Sequence, residues 1–345
     1  MADVTKEETD FFIGKNTIPG FPKKIGGVTV NNPIWLAPLA GITFCSIRNF
    51  YKKLGAGLVH TEMVSALGLC HRGRKTKELL YGDESERPAV LQLFGSNAED
   101  MANGAEIALN IRKFDAIEVN MACPMPKVTK KGSGSALMQN QEAAVAIIDI
   151  LCKTGLPVWA KIRISQYGTS ETCRFCEKLF NSGANMVFIH GRTPSQRYEG
   201  TALRSEIGKT ARIFPGAIGG SGDCYSPADF KEYLDMGCAA VLAARGILRD
   251  VFMIPKTLRF LGADVNNEFI TPNVELQLRL LLELGRSIYN KEGETMALMI
   301  SRRMLAALFK GQHGSAKLRQ RGALARTWND MEYLLEHWKE IASDA

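Results

Sequence analysis

Residues Asp115–Leu137 read DAIEVNMACPMPKVTKKGSGSAL, and the fold follows from how this stretch is read. Asp115 to Met121 alternates apolar and polar side chains, the period-2 pattern of a short half-buried strand. Cys123 follows between Ala122 and Pro124, then the basic run Lys127, Lys130 and Lys131, then Gly132 and Gly134 before apolar helix formers return. A thiol therefore stands at the mouth of a strand. Proline stiffens its loop, the cationic side chains suit phosphate oxygens, and the glycines allow close backbone approach.

Outward from this segment the same unit recurs. Strand-like runs at Pro33–Pro38, Leu58–Met63, Ala89–Phe94, Val158–Ile164, Met186–His190, Ala217–Ile218 and Ala239–Ala243 are separated by helical patterns. The clearest of these are Phe44–Leu54, the segment from Asn97 to Arg112, Glu142–Cys152, Glu171–Phe180 and Pro227–Leu234, with polar helix-like residues from Leu67 onward. Asn97 has the side chain to cap the helix it precedes. Eight β-then-α units with no tandem run of strands predict an α/β protein, a closed parallel (β/α)8 TIM barrel. Phe21–Val30, turning at Gly26-Gly27, predicts a hairpin-like cap before the first strand. Beyond Val251 the strands stop. Val274–Lys291, Glu294–Phe309 and Trp328–Ile341 have helical periodicity, which predicts a C-terminal all-α domain after a linker near Gly262–Pro272. The expected organisation is a leader and cap over 1–30, a barrel over 31–264 and a helical domain over 265–345.

Composition narrows the class. With 46% hydrophobic and 23% charged residues the chain is an ordinary globular protein. No apolar run approaches the roughly 20 residues that span a bilayer, and the acidic start MADVTKEETDFF lacks a signal-peptide layout, so a cytoplasmic protein with no membrane partner is expected. The eight cysteines are spread through the chain, as reduced thiols would be, and the CxxC at Cys173 and Cys176 lies in a helical pattern with no second pair. The five histidines are scattered, so no metal site is expected. A net charge of +7 admits a nucleic-acid partner, and its distribution strengthens the case. From Arg302 and Arg303 through Lys310, Lys317, Arg319 and Arg321 to Arg326 there is no Asp or Glu, the pattern of a nucleic-acid surface.

In barrels of this kind the working residues occupy the C-terminal ends of the strands. Here those ends read APLAG from Ala37, TEM from Thr61, QLFG from Gln92, Asn120 with Cys123, KIR from Lys161, HGR from His190, Gly219–Asp223 and Ala244-Arg245-Gly246. Together with TEMVSA, LQLFG, NMACPMPKV followed by GSGSAL, VWAKIR and HGRTPSQRYEG, they resemble the tRNA-dihydrouridine synthases, flavoenzymes that reduce uridine in RNA. The likeness runs from about Ile34 to Gly246, with a weaker echo at GQHGSAKLR (Gly311–Arg319).

The resemblance implies an FMN-dependent reduction of specific uridines, most readily in tRNA, with NADPH or NADH as hydride donor. Hydride delivered to uracil C6 drives charge toward C5 and O4, so an acid must protonate C5; the family's cysteine in this motif is Cys123. Thiols with the ordinary pKa of about 8.5 are mostly protonated at neutral pH and serve as acids. Asn120 is similar to the family's base-holding asparagine. Lys161, Gln92 and His190 resemble its flavin contacts, as do Pro38 and Ala40 in APLAG. Gly220, Ser221, Gly222, Asp223, Ala244 and Arg245 fall where barrels bind phosphate. There the chain departs from the family's Asn-Gly-Asp (Ser221-Gly222-Asp223) and from its Gly-Arg-Gly or Gly-Arg-Ala (Ala244-Arg245-Gly246), which implies altered flavin affinity. RNA-facing expectations fall on Lys127, Lys130, Lys131, Arg192, Arg302, Arg303, Lys317, Arg319 and Arg321. Two alternatives stay open: a flavin-dependent reductase of a free pyrimidine or other small enone, and an RNA-binding homologue without turnover. Glu62 is expected to tie its strand to neighbouring loops.

Overall fold

The computed structural model describes residues 13–309 and 316–343. Eight strands close a parallel ring: β1 Ile34–Leu36, β2 Val59–His60, β3 Ala89–Phe94, β4 Ala116–Asn120, β5 Val158–Arg163, β6 Met186–His190, β7 Ile218–Ser221 and β8 Ala240–Ala243. Each pairs with its sequence neighbour, and β8 returns to β1 through Leu242 opposite Trp35. Alternation along these strands builds two separate cores. Outward residues such as Leu91, Leu93, Ile117, Val119, Ala160, Ile162, Val187 and Ile189 pack under the surrounding helices. Inward residues fill the barrel. Its lower layer is apolar, with Trp35 stacked on Trp159 at 5.4 Å and Phe188 tilted against both.

The expected hairpin is present as Lys23–Ile25 paired antiparallel with Val28–Val30 around Gly26-Gly27. It closes the barrel floor, with the Trp159 indole N–H donating to the Gly26 carbonyl at 2.7 Å. Asn97 caps Ala98–Ile111 by accepting the Asp100 N–H at 3.0 Å.

Several elements differ from the sequence expectation. The second strand is split into β2 and a short piece, Val64–Ser65, that pairs with Leu93-Phe94. Between the pieces the Thr61 N–H still donates to the Val90 carbonyl at 2.9 Å and side chains add to the ladder: Thr61 Oγ1 accepts the Gln92 N–H at 3.0 Å, and the Glu62 carboxylate accepts the Gly41 N–H, tying this strand to the APLAG loop as expected. β7 runs on through Gly219 to Ser221, held from both sides by β6 and β8. The last helical pattern breaks at His337, where the imidazole and backbone N–H both approach the Tyr333 carbonyl, giving Trp328–Glu336 and Trp338–Ser343.

The C-terminal helices begin with Val274–Glu292, Glu294–Leu308 and Ala316–Leu324. Their core surrounds Trp328, whose indole rests against Gly285. They attach to the barrel through Glu292, which accepts from the Ser46 hydroxyl at 2.7 Å and the Ser46 N–H at 3.2 Å in the first turn of helix Cys45–Lys53.

Gly219 points into the barrel, where a methyl group would run into the Phe188 ring. Gly219→Ala is expected to destabilise the fold by about 1–3 kcal/mol through overpacking, measured by chemical denaturation.

Candidate active site

Above the apolar layer the inward positions turn polar: Gln92 on β3, Glu118 and Asn120 on β4, Lys161 and Arg163 on β5, and His190 on β6. All are buried. Asn120, Lys161, Arg163 and His190 line a cleft of about 280 Å³ at the C-terminal rim, with Gln92 and Glu118 beneath it. Pro38, Ala40, Asn120, Cys123, Lys127, Lys161, His190, Ser221, Gly222, Asp223, Ala244 and Arg245 all line it. Residues from six strand ends, far apart in sequence, thus face one space.

Asn120 organises the cysteine loop. Its Oδ1 accepts the Cys123 N–H at 2.9 Å and the Ala122 N–H at 3.2 Å. Arg163 braces the same loop from β5, its Nε donating to the Ala122 carbonyl at 2.6 Å and its Nη1 to the Arg197 and Thr193 carbonyls at 2.7 and 3.1 Å. The Cys123 carbonyl accepts the Ser135 N–H at 2.9 Å, so the glycine-rich return folds back on the thiol's own residue. Pro124 and Pro126 let the basic run start as a single helical turn, Pro126–Thr129, rather than a loop.

The electrostatics are set by burial and by clustered cations. Lys161 makes no hydrogen bond to the described residues; burial holds its ammonium below the ordinary lysine range, and Glu118 opposes that shift. The His190 imidazole is pushed down to about 2 by burial and by Lys161, Arg163, Arg192 and Arg245, so it is neutral. Its Nδ1 is buried with no hydrogen-bond partner. A buried polar atom without a partner is costly, and His190 lines the cleft, where a ligand atom would satisfy it.

Two loops supply backbone donors to the same cleft. The N–H groups of Gly222, Asp223 and Cys224 after β7, and of Arg245 and Gly246 after β8, donate to no described acceptor. Gly222 adopts φ +125°, a backbone shape reserved for glycine, which turns the chain at this point. The Asp223 carboxylate is locked between Arg192 (2.7 and 2.9 Å) and Arg245 (2.9 Å) and accepts the Ala202 N–H at 2.8 Å. Burial raises its pKa, but these bonds outweigh it and hold the carboxyl below the usual range.

Several expected contacts are placed elsewhere. Arg192 is 3% exposed; besides Asp223 it donates to the Glu199 and Gly200 carbonyls, so it pins loops instead of facing RNA. Gln92 lies beneath the cleft, with Nε2 on Glu118 and Oε1 accepting from Asn120. Gly220 faces outward against Tyr233. Arg302 is half-buried and donates to the Ala325 carbonyl, fastening two C-terminal helices. Arg319 is half-buried, whereas Lys130, Lys131, Arg303 and Arg321 are exposed. Lys310 and Gly311–Ser315 lie outside the described residues. Arg163 and Tyr198 also line the cleft. Lys161 and Arg163 share one strand face at spacing two, which is the signal that places both inward, and Tyr198 lies 5.5 and 5.6 Å from the Arg163 and Arg245 guanidinium carbons. Among the described residues no cluster of metal-ligating side chains occurs, and no helix is long and apolar enough to cross a membrane.

Comparison with known proteins adds to this geometry. The barrel is similar to the old yellow enzyme from Trypanosoma cruzi (TM-score 0.52, 11% identity, 72% of this chain and 94% of that one) and to morphinone reductase in complex with tetrahydroNAD (TM-score 0.50, 16% identity, 73% and 92%), a likeness of fold. In sequence the chain is 29% identical over 308 residues to a probable tRNA-dihydrouridine synthase 1 of Synechocystis sp., covering 88% of this chain and 85% of that protein. It is 28% identical over 322 residues to a probable tRNA-dihydrouridine synthase of Treponema pallidum, covering 90% and 94%. The family model for dihydrouridine synthase matches residues 35–343, nearly the whole span from β1 to the last helix, and the chain belongs to the dihydrouridine synthase family.

Proposed function

We propose that this protein reduces specific uridines of tRNA to 5,6-dihydrouridine, with FMN bound across the barrel mouth and NADPH or NADH as the source of electrons. One observation carries the reading: a thiol, a buried lysine without a hydrogen-bond partner and two loops of unengaged backbone N–H groups line a single cleft. The residues present fit FMN. The N–H groups of Gly222–Cys224 and Arg245-Gly246, with Arg245 beside them, suit a phosphate; Lys161 and the unpartnered Nδ1 of His190 suit the polar edge of the ring system. When bound, FMN supplies the hydride that uracil C6 receives.

The chain's own groups supply the rest. Cys123 gives its proton to C5 on the face opposite the hydride. Asn120 directs one Nδ2 hydrogen to Gln92 and has the other for a carbonyl of the base. Lys161 keeps positive charge at the cleft floor, where negative charge develops during the reaction. A cleft this deep reaches only an unstacked base, so the target uridine is flipped or already in a loop. Residues 31–264 form the catalytic unit in this reading. Residues 265–345 act as the RNA-binding unit, with Arg303 and Arg321 on its exposed surface and Lys127, Lys130 and Lys131 holding backbone phosphates nearer the cleft. The cytoplasm, where tRNA is found, is the expected compartment.

Cys123→Ala is expected to bind tRNA with unchanged affinity while dihydrouridine formation falls by about 10²-fold or more, scored by nucleoside mass spectrometry. Affinity for tRNA should fall steeply and linearly in log–log form with salt, and the slope should become shallower by about 0.7 to 0.9 for each of Lys127, Lys130 or Lys131 replaced by Ala. Salt-independent binding would exclude phosphate-dominated recognition. Arg192→Ala should lower stability by about 3 kcal/mol, because it leaves Asp223 short of its main partner, and should weaken FMN binding while the salt slope for tRNA stays as in the wild type. A slope reduced by Arg192→Ala would return that side chain to the RNA surface.

A further inference from the structure

The polar layer continues below the cleft to two side chains that the chemistry above leaves unused, His60 and Glu118, both fully buried. The chain of contacts joining them to the cysteine loop has its polarity fixed from both ends by backbone groups. At one end the N–H groups of Ala122 and Cys123 donate to Asn120 Oδ1, which turns Asn120 Nδ2 toward Gln92 Oε1 at 3.0 Å. Gln92 Nε2 then faces Glu118 Oε1 at 2.5 Å, so that oxygen is an acceptor. At the other end a carbonyl, that of Leu36, lies 2.8 Å from His60 Nδ1, so Nδ1 carries hydrogen. What remains is Glu118 Oε2 facing His60 Nε2 at 3.7 Å, each buried with no hydrogen-bond partner. Two lone pairs opposed in a dry interior are unfavourable, and one proton between them removes the conflict.

We infer that beneath the cleft Glu118 carries a proton and faces a neutral His60, and that Glu118, as the uncharged acid, is a positioning residue that orients Gln92, Asn120 and through them the Cys123 loop. Its use in uridine reduction rests on the reading above, whereas the proton count rests on the hydrogen-bond directions alone. Burial favours the neutral form of both groups, holding His60 down to about 3 and Glu118 above the usual carboxyl range. The rings of Trp159 and Phe188 flank His60, with centroids at 6.2 and 6.0 Å. Lys161, from the neighbouring β5, is the charged group acting on both. An ionised Glu118 would spend itself on Lys161; an uncharged one leaves that cation for charge arising in the cleft.

Glu118→Gln reproduces the neutral acid, its oxygen accepting from Gln92 and its amide donating to His60 Nε2, whereas Glu118→Ala removes both contacts. In the full chain, the rate at which iodoacetamide labels Cys123, resolved by peptide mass spectrometry, should stay within about twofold of wild type in Glu118→Gln and change by about tenfold in Glu118→Ala. A long-range 15N–1H spectrum near neutral pH, with His60 assigned by its absence in His60→Asn, should show a neutral ring protonated at Nδ1. Damage by Glu118→Gln equal to that of Glu118→Ala overturns the inference, since it means that the carboxylate charge is required. So does an imidazolium, or a ring protonated at Nε2 alone. Should Glu118→Ala fail to fold, Glu118→Gln against wild type and the spectrum decide the matter. Neither readout requires reduction of uridine, so an absence of dihydrouridine synthesis leaves both standing.

Discussion

The carboxamide of Asn120 is the interaction on which the upper half of the barrel depends. Its oxygen takes two consecutive N–H groups of the cysteine loop, which fixes where Cys123 stands and also fixes which way the amide points. Because that amide cannot be turned over without stranding two buried donors, Gln92 has only one satisfactory orientation, and Glu118 inherits its role from Gln92. One local capping contact at a strand end thereby orders a polar layer across three strands. The apolar layer beneath it, Trp35, Trp159 and Phe188 sealed by the hairpin, excludes the water that would otherwise satisfy these groups indifferently.

Charge is distributed with the same economy. Lys161, Arg163, Arg192 and Arg245 surround the cleft, and together with burial they keep His190 neutral. Asp223 is the carboxylate set among them, and both its oxygens are engaged by arginines. The cleft consequently presents positive charge and unengaged N–H groups, an environment for anionic oxygen, while its acidic residue is spent on holding two loops together.

Much of this was legible in the sequence because it is periodic or local. The eight β-then-α units, the Gly-Gly hairpin, the Asn97 cap and the convergence of strand ends all follow from spacing. What was not legible depends on partners distant in sequence. Arg192 looks like a surface arginine in HGRT until Asp223, on the next strand's loop, is seen to claim it. Arg302 belongs to a basic stretch by composition but to the Ala325 carbonyl by packing. Helix Ala316–Leu324 leaves no helical period in this basic segment because only Leu318 and Gly322 are buried. β7 extended through two glycines that have little strand preference of their own, because β6 and β8 offered ladders on both sides.

The same distinction bears on Ser221 and Ala244, in the two loops that the proposed reading gives to the FMN phosphate. From sequence, Ser in place of Asn at 221 and Ala in place of Gly at 244 imply altered flavin binding, since side chains differ. The groups available for an anion there are backbone N–H groups of Gly222, Asp223, Cys224, Ala244, Arg245 and Gly246, so position 244 would contribute its main chain and not its side chain. Ser221 closes β7 with its carbonyl accepting the Gly191 N–H at 3.1 Å, a contact indifferent to the side chain. Ala244 stands at φ −123°, outside the left-handed region. The backbone shape that does need glycine is at Gly222, and there the chain keeps it. Loops that recognise through main-chain donors tolerate changes of side chain as long as the path of the chain is preserved. At this site Gly222 and the Asp223 clamp preserve that path.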